Sequence, residues 1–334
     1  MVAALAALFA WGGAFGTALT LLAAAAIGYV VVLLMFRAMG LQHRGVLVTR
    51  EDQPELMAVV DDVMGRAQIM RLDGVWLEPD PGASALLGHR DWLGRRHVGV
   101  AVGLLTAAHV SADELRVILA HEAGHLTDPS YLRLFLGQRR RSTLRKLEWR
   151  TTRPMRWYWR WFLKVTREQG LDSERHADAV AVQMCGPDVA ARAQQRVAEA
   201  CVVHAMAMKR FVWPCWDRRI APATYFEAYE AIWRRMPDGV AAGVTALMSA
   251  PDQPDDTHPG LRERCGGRAF PLPPDLRGSL PLARLDELDR YCAASLRQQE
   301  RRYPMRIMSW PAIRAEWNAQ SPGPSGPAQN PVAG

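Results

Sequence analysis

The feature that most constrains how this chain can fold is the run of residues 2–36, which contains no charged side chain. As one continuous helix it would be about 50 Å long, whereas the hydrocarbon core of a bilayer is about 30 Å thick. One membrane span therefore fits, and two spans with a turn between them do not. We expect a single transmembrane helix near residues 15–36, within an N-terminal membrane anchor at residues 1–40. A cleaved signal peptide is the competing interpretation, but it needs a basic segment, and the first basic residue is Arg37.

The charges that follow the anchor predict its orientation. Arg37, Arg44 and Arg50 come after the apolar run and nothing basic precedes it, which favours a cytoplasmic location for the rest of the chain. The five cysteines are an odd number without a C-x-x-C pair, which agrees with a reducing compartment. We therefore expect a single-pass protein of a bacterial-type inner membrane.

Downstream of the anchor, the spacing of apolar residues predicts a mostly helical α+β domain over residues 45–310. A small sheet is expected at residues 74–77, 85–88 and 98–102, where short apolar runs lie near turn residues. One helix is expected before the first of these strands. The other predicted helices lie at residues 111–126, 157–184, within 188–248, and at 286–301.

Two segments of the chain are predicted to lack regular structure. Residues 251–281 are rich in proline, glycine and charge, and we expect a loop there. Residues 319–334 have too few apolar groups to pack and are expected to be disordered. The helix at 286–301 is therefore expected to be the last.

One predicted helix carries a pattern typical of zinc hydrolases. Ser111 and Glu114 predict a capping box at its first turn, and residues 121–125 read His-Glu-Ala-Gly-His, an H-E-x-x-H motif. His121 and His125 lie four positions apart on one helical face, so both imidazoles can bind one zinc ion. Glu122 would project beside that ion as the general base that takes a proton from the attacking water.

A catalytic zinc normally has three protein ligands and one open position. The extended motif with a third histidine is absent after His125, so the third ligand must come from elsewhere in the chain. Glu174 and Asp178 share a face of the next predicted long helix, and His176 lies about 200° around that helix from Glu174. We predict that Glu174 is the third ligand. Asp178 is either the acceptor for the second N–H of a ligand histidine or a surface acid.

Three motifs in order resemble those of the HtpX and CAAX prenyl protease family of membrane gluzincins. Residues 113–125 are similar to the active helix of that family, and residues 174–178 (ERHAD) to its second motif. Residues 257–259 (THP), followed by Arg264, resemble a third motif. The resemblance extends over residues 75–264.

The resemblance implies a zincin-like metallopeptidase core, one zinc ion per chain and peptide-bond hydrolysis at or near a membrane. It also implies that His258 and Arg264 stabilise the oxyanion, although the residues alone would make His258 a loop histidine beside a proline. The chain departs from the family at residues 83–85 (ASA), where an Asn-Ala pair often precedes the edge strand, and in having one expected span instead of several.

A basic, tryptophan-rich segment at 131–167 supplies much of the net charge of +7. It suggests contact with anionic lipid at the membrane interface, although its tryptophans would pack equally well in a core. It lacks a recognised nucleic-acid docking motif, so we expect no nucleic-acid partner. Nothing in the sequence predicts an oligomeric state.

Together these features predict a membrane-anchored zinc metalloendopeptidase, with its catalytic domain in the cytoplasm. Its expected substrates are membrane-associated or misfolded proteins, bound as extended strands along an edge of the small sheet. The alternative is a non-catalytic, membrane-tethered binding or regulatory protein with a zincin fold. Glu122 argues against that alternative, because a structural zinc site needs no general base.

Overall fold

The computed structural model describes residues 16–17, 21–22, 45–69, 71–89, 96–128, 153–251, 258–299 and 304–319. Residues 43–87 and 98–334 form one compact unit, and residues 1–42 with 88–97 form a second. In the second unit, residues 16–17 and 21–22 are helical.

Three predicted segments fall largely outside this description. They are the anchor at 1–40, the first part of the basic segment at 131–167, and the tail at 319–334. No helix within the described ranges is both long enough and apolar enough for a membrane span.

The larger unit is mostly helical and contains a small mixed sheet, which confirms the predicted α+β class. In chain order its elements are β1 (Val46–Val48), α1 (Pro54–Arg66), β2 (Gly74–Glu78), β3 (Ala83–His89), β4 (Arg96–Gly103), α2 (Leu104–His109), α3 (Ala112–Thr127), α4 (Arg153–Cys185), α5 (Pro187–Ala207), a π-helix (Met208–Val212), α6 (Trp213–Asp217), β5 (Ile220–Pro222), α7 (Phe226–Arg235), α8 (Pro237–Ser249), α9 (Leu261–Arg264), α10 (Leu285–Gln299), β6 (Arg306–Met308) and α11 (Trp310–Ala319).

Four strands form the larger sheet in the order β1-β2-β4-β3. β1 pairs with β2 in antiparallel register, with Val46 opposite Leu77, and β2 pairs with β4 in parallel register, with Gly74 opposite Gly99. The three predicted strands are therefore confirmed. β1 was not predicted, because three residues are too few to show a period of two. β1 and β3 are the edges of this sheet, so within the part of the chain that the structure describes β3 has a strand neighbour on one side only.

The helix that carries residues 121–125 is capped as predicted. The backbone N–H of Glu114 donates to the Ser111 hydroxyl (3.3 Å), and the N–H of Ser111 donates to the Glu114 carboxylate (2.8 Å). This reciprocal pair satisfies two N–H groups that have no partner within the helix. Most of α3 is buried, including all five residues from His121 to His125, so its start at Ala112 determines where those side chains lie in the core.

A close helix contact brings α3 and α4 together at the motif. A Cβ atom on Gly124 would lie only 2.7 Å from the Cα of Ala177, so only glycine permits this approach. Ala177 is itself fully buried and lies between Glu174 and Asp178 in the sequence. The contact therefore places the two predicted halves of the site side by side.

The C-terminal region corrects one expectation. The predicted helix at 286–301 is present as α10, but it is not the last, because β6 and α11 follow it. Trp310, Ile313 and Trp317 of α11 are buried in the main core, so the packed chain continues past residue 310. Their spacing of three and four residues marks one helical face, but α11 spans only ten residues and has a proline at its second position, so its periodic signal is weak.

Candidate metal centre

Two helices bring three potential metal ligands together. His121 and His125 come from α3 and Glu174 from α4, and all three side chains are buried. Each offers a ligand atom within 4.8 Å of the other two. The structure therefore brings together the three residues predicted as ligands, and they could hold a metal ion.

The separations within the cluster fit a small divalent cation. The His121 Nε2 lies 3.4 Å from the Glu174 Oε2, and the His125 Nε2 lies 3.5 Å from the Glu174 Oε1. Ligand atoms arranged tetrahedrally about 2 Å from zinc stand roughly 3.3 Å apart. The Glu174 Oε2 is buried, and a cation between these atoms would be held by this carboxylate and the two imidazole nitrogens. The donor set of two imidazoles and one carboxylate therefore fits the implied metal.

Asp178 lies behind His121, on the side of the ring away from Glu174. The Asp178 Oδ1 is 2.9 Å from the His121 Nδ1, as expected for a carboxylate that accepts the second N–H of a ligand histidine. Arg264 donates to both Asp178 oxygens, at 2.8 and 3.0 Å, and its guanidinium lies 3.3 Å from the same His121 nitrogen. Asp178 therefore contacts the cluster directly. Arg264 contacts Asp178 and the Nδ1 of His121, on the side of that ring away from Glu174.

Acidic neighbours and burial separate the pKa values of the two histidines. Burial alone would lower the pKa of His121, but hydrogen bonds to Asp178 and Glu174 outweigh it and raise that pKa to about 9. Burial lowers the pKa of His125 to about 4, although Glu174 opposes this shift. Burial alone would raise the pKa of Glu174, but hydrogen bonds from His121 and His258 hold it well below its usual range.

Glu122 is buried next to this cluster. Burial raises the pKa of its carboxyl group above the ordinary value, while the charge of His121 acts in the opposite direction. Its carboxylate accepts a hydrogen bond from the backbone N–H of Ala85, which belongs to the edge strand β3. The predicted general base therefore lies between the ligand cluster and the open edge of the sheet.

The predicted third motif also reaches the cluster. The His258 Nδ1 lies 2.7 Å from the Glu174 Oε2, and more than half of the His258 side chain is exposed. Arg264 follows at the end of the short helix α9, while Thr257 lies outside the described residues. All seven predicted site residues thus lie in one neighbourhood, and His176 is exposed and away from it. Whether His258 and Arg264 contact a reacting carbonyl stays a prediction.

Ser173 contacts the cluster and connects it to Asp128, and neither residue was predicted to belong to the site. The Ser173 hydroxyl lies 3.4 Å from the His125 Nδ1 and donates to the Asp128 Oδ2 at 3.0 Å. Ser173 thus links His125 to a carboxylate, much as His121 contacts Asp178 directly. Asp128 directly follows α3 at its C-terminal end. Its position three residues after His125 was the available signal, because i and i+3 share a helical face.

Comparison with known proteins found no matching protein family, and no curated protein or solved structure matches the chain significantly.

Proposed function

We propose that this chain is a zinc-dependent metalloendopeptidase. The observation that carries the proposal is the buried carboxylate of Glu122 beside the cluster of His121, His125 and Glu174. A structural zinc site closes its coordination with four protein ligands, whereas this group offers three and has a potential general base next to them. The resemblance to the HtpX and CAAX prenyl protease family points to the same activity.

In the proposed mechanism His121, His125 and Glu174 hold the zinc ion. The chemistry that zinc supplies when bound is Lewis acidity, which makes water a better nucleophile and polarises the scissile carbonyl. Glu122 takes the proton from the attacking water and delivers it to the leaving amine. A raised pKa suits both steps, because a carboxyl group must be basic enough to accept the proton and acidic enough to release it.

The outer residues have separate proposed roles. His258 is more exposed than Arg264 and is the better placed donor to the oxyanion. Arg264 is bound to Asp178 in this structure, which supports a positioning role through Asp178 and His121. Asp178 then holds the His121 ring so that its Nε2 faces the metal.

The substrate is proposed to bind along β3. This strand is an edge of the sheet, so a protein segment in extended conformation can pair with its backbone and reach Glu122 with its scissile bond. Backbone pairing tolerates many side chains, which suits membrane-associated or misfolded proteins as substrates. The proposed location is the cytoplasmic face of a bacterial-type inner membrane, with residues 1–40 as the anchor and 131–167 near anionic lipid.

Replacement of the general base tests the proposal. We expect the detergent-purified chain to cleave casein and Glu122→Gln to lose at least 100-fold in rate, while both bind one zinc ion per chain. Glu168→Gln is the matched control, because Glu168 is an exposed glutamate on α4 outside the cluster. Casein hydrolysis and metal analysis on the same samples give the two readouts.

The alternatives give different results. If wild type and Glu122→Gln cleave equally, the assignment of Glu122 is wrong or a contaminant is responsible. If both proteins hold zinc and neither cleaves casein or a denatured membrane protein, the non-catalytic binding protein becomes the better description.

A further inference from the structure

A second surface, remote in sequence from the metal cluster, combines positive charge with an exposed tryptophan. It lies on the π-helix and α6, which follow α5 directly. One side of this segment is fixed in the core by Met208, Phe211, Val212 and Cys215, which are buried. The other side exposes Lys209, Arg210 and Trp213, and 49% of the Trp213 surface is accessible. We call these three residues, together with the exposed Arg218 and Arg219 that follow them in the chain, the Trp213 surface. The Arg218 guanidinium lies over the Trp317 ring, 3.9 Å from its centroid.

The segment that carries this surface is predominantly basic. Residues 208–219 contain four basic side chains and a single acid, Asp217. Among the described residues, neither Lys209 nor Arg210 has an ion-pair partner. β6 adjoins the surface, since the N–H of Arg306 donates to the carbonyl of Arg219 (2.8 Å). It adds an apolar side chain, Ile307, which is 61% exposed.

The backbone at Arg219 is unusual for an arginine. Its φ is +59°, a left-handed conformation that glycine adopts far more readily and that ends many helices. A glycine would therefore suit the end of α6 better. The arginine occupies this position at some conformational cost.

We propose that the Trp213 surface binds the anionic headgroups of a lipid bilayer. Lysine and arginine are attracted to negative headgroups, and tryptophan favours the level where headgroups meet acyl chains. The exposed Ile307 favours lipid over nucleic acid, because an aliphatic side chain offers a base nothing to stack on. The uncharged run at residues 2–36 belongs to the same chain, so an anchored molecule would have a bilayer within reach. This contact does not depend on catalysis.

Side-chain footprinting of the full chain tests the proposal at the level of one residue. The protein is bound to nanodiscs of phosphatidylcholine alone or with one third phosphatidylglycerol, and oxidation of Trp213 by hydroxyl radicals is measured by peptide mass spectrometry. We expect several-fold slower oxidation of Trp213 in the anionic nanodiscs, and a return to the neutral-lipid rate in 1 M salt.

Three variants sharpen the test. Lys209→Glu with Arg210→Glu should abolish the lipid-dependent protection. Arg234→Glu with Arg235→Glu is the matched control, because that exposed arginine pair lies at the end of α7 away from Trp213 in the sequence, and it should leave the protection unchanged. Arg219→Gly should weaken the protection without lowering the unfolding temperature, since glycine fits the local backbone.

Several outcomes would overturn the proposal. They are failure of the protein to bind anionic nanodiscs, equal oxidation of Trp213 in both lipids, and equal effects of the two arginine-containing double variants. If protection of Trp213 in detergent increases with protein concentration, the surface is a contact between copies of the protein. Protection by single-stranded RNA in the absence of lipid would assign it to nucleic acid.

Discussion

The two histidines of the cluster are oriented by acids at different distances. His121 meets Asp178 directly, whereas His125 reaches Asp128 through the hydroxyl of Ser173. In both rings the contact is made by Nδ1, which leaves Nε2 facing Glu174. Two different arrangements of neighbours therefore leave the same ring nitrogen available to a metal ion.

Ser173→Ala is expected to weaken zinc binding by about 10-fold, because it removes the group that orients His125. Asp178→Asn should weaken zinc binding at least as much, because a direct carboxylate partner is lost. Competition with a chromophoric chelator measures both affinities without any need for turnover. Unchanged affinity in Ser173→Ala, with a loss in Asp178→Asn, would show that the contact with Ser173 does not orient His125.

Asp289 provides a pH-dependent test of stability away from the cluster. Its buried carboxylate accepts the backbone N–H groups of Tyr225 and Phe226 at the start of α7, and burial raises its pKa to about 6. Because this pKa is above the ordinary value, the folded chain binds the proton more tightly than the unfolded chain. The contribution to stability is therefore full below about pH 4 and is lost as the pH rises through 6.

Asp289→Asn is expected to remove this dependence. The free energy of unfolding of wild type relative to the variant should fall by about 2 kcal/mol between pH 4.5 and 7.5. Urea unfolding in detergent at several pH values measures the difference, and Asp275→Asn, at an exposed loop position, is the control. A constant difference across this range would contradict the assignment.

At the scale of elements, the distance between α3 and α4 depends on one glycine. Gly124→Ala would place a Cβ 2.7 Å from the backbone of Ala177, so the helices must separate. We expect a loss of about 1–3 kcal/mol in unfolding free energy, together with weaker zinc binding, since Glu174 moves away from the histidines.

Gly65→Ala is the matched control for that substitution. Gly65 is also a helical glycine, but a Cβ there would meet nothing within 4 Å. It should stabilise α1 by about 0.5–1 kcal/mol, since alanine is the better helix former. Thermal unfolding and chelator competition on both variants check the pair, and normal zinc affinity in Gly124→Ala would mean that the close contact does not govern the cluster.

Elements whose signal is local were predictable from the sequence. The capping box of Ser111 and Glu114 and the i, i+4 spacing of His121 and His125 depend only on helical geometry, and α3 formed as expected. β1 and α11 were missed for the opposite reason. Each is short and is held by partners distant in sequence, such as Leu77 for β1 and the main core for α11.

At the scale of the whole molecule, the seven proposed site residues were found because each belongs to a motif. Contacts between motifs could not be derived in that way. The hydrogen bond from Ala85 to Glu122 and the position of Arg264 on Asp178 follow only once the sheet, α4 and α9 are packed around α3. Such contacts arise from tertiary packing, which a single sequence does not encode as a repeat or a spacing.

The close approach of α3 and α4 also links metal supply to the lifetime of the protein. A cation held by His121, His125 and Glu174 would add metal bonds to the packing and hydrogen bonds that already connect these two helices. A ligand that binds only the folded state stabilises that state. The gain is about 2.7 kcal/mol when the free ligand concentration is 100 times the dissociation constant. Under the proposed function, a cell short of zinc would lose this protein to degradation as well as losing its activity.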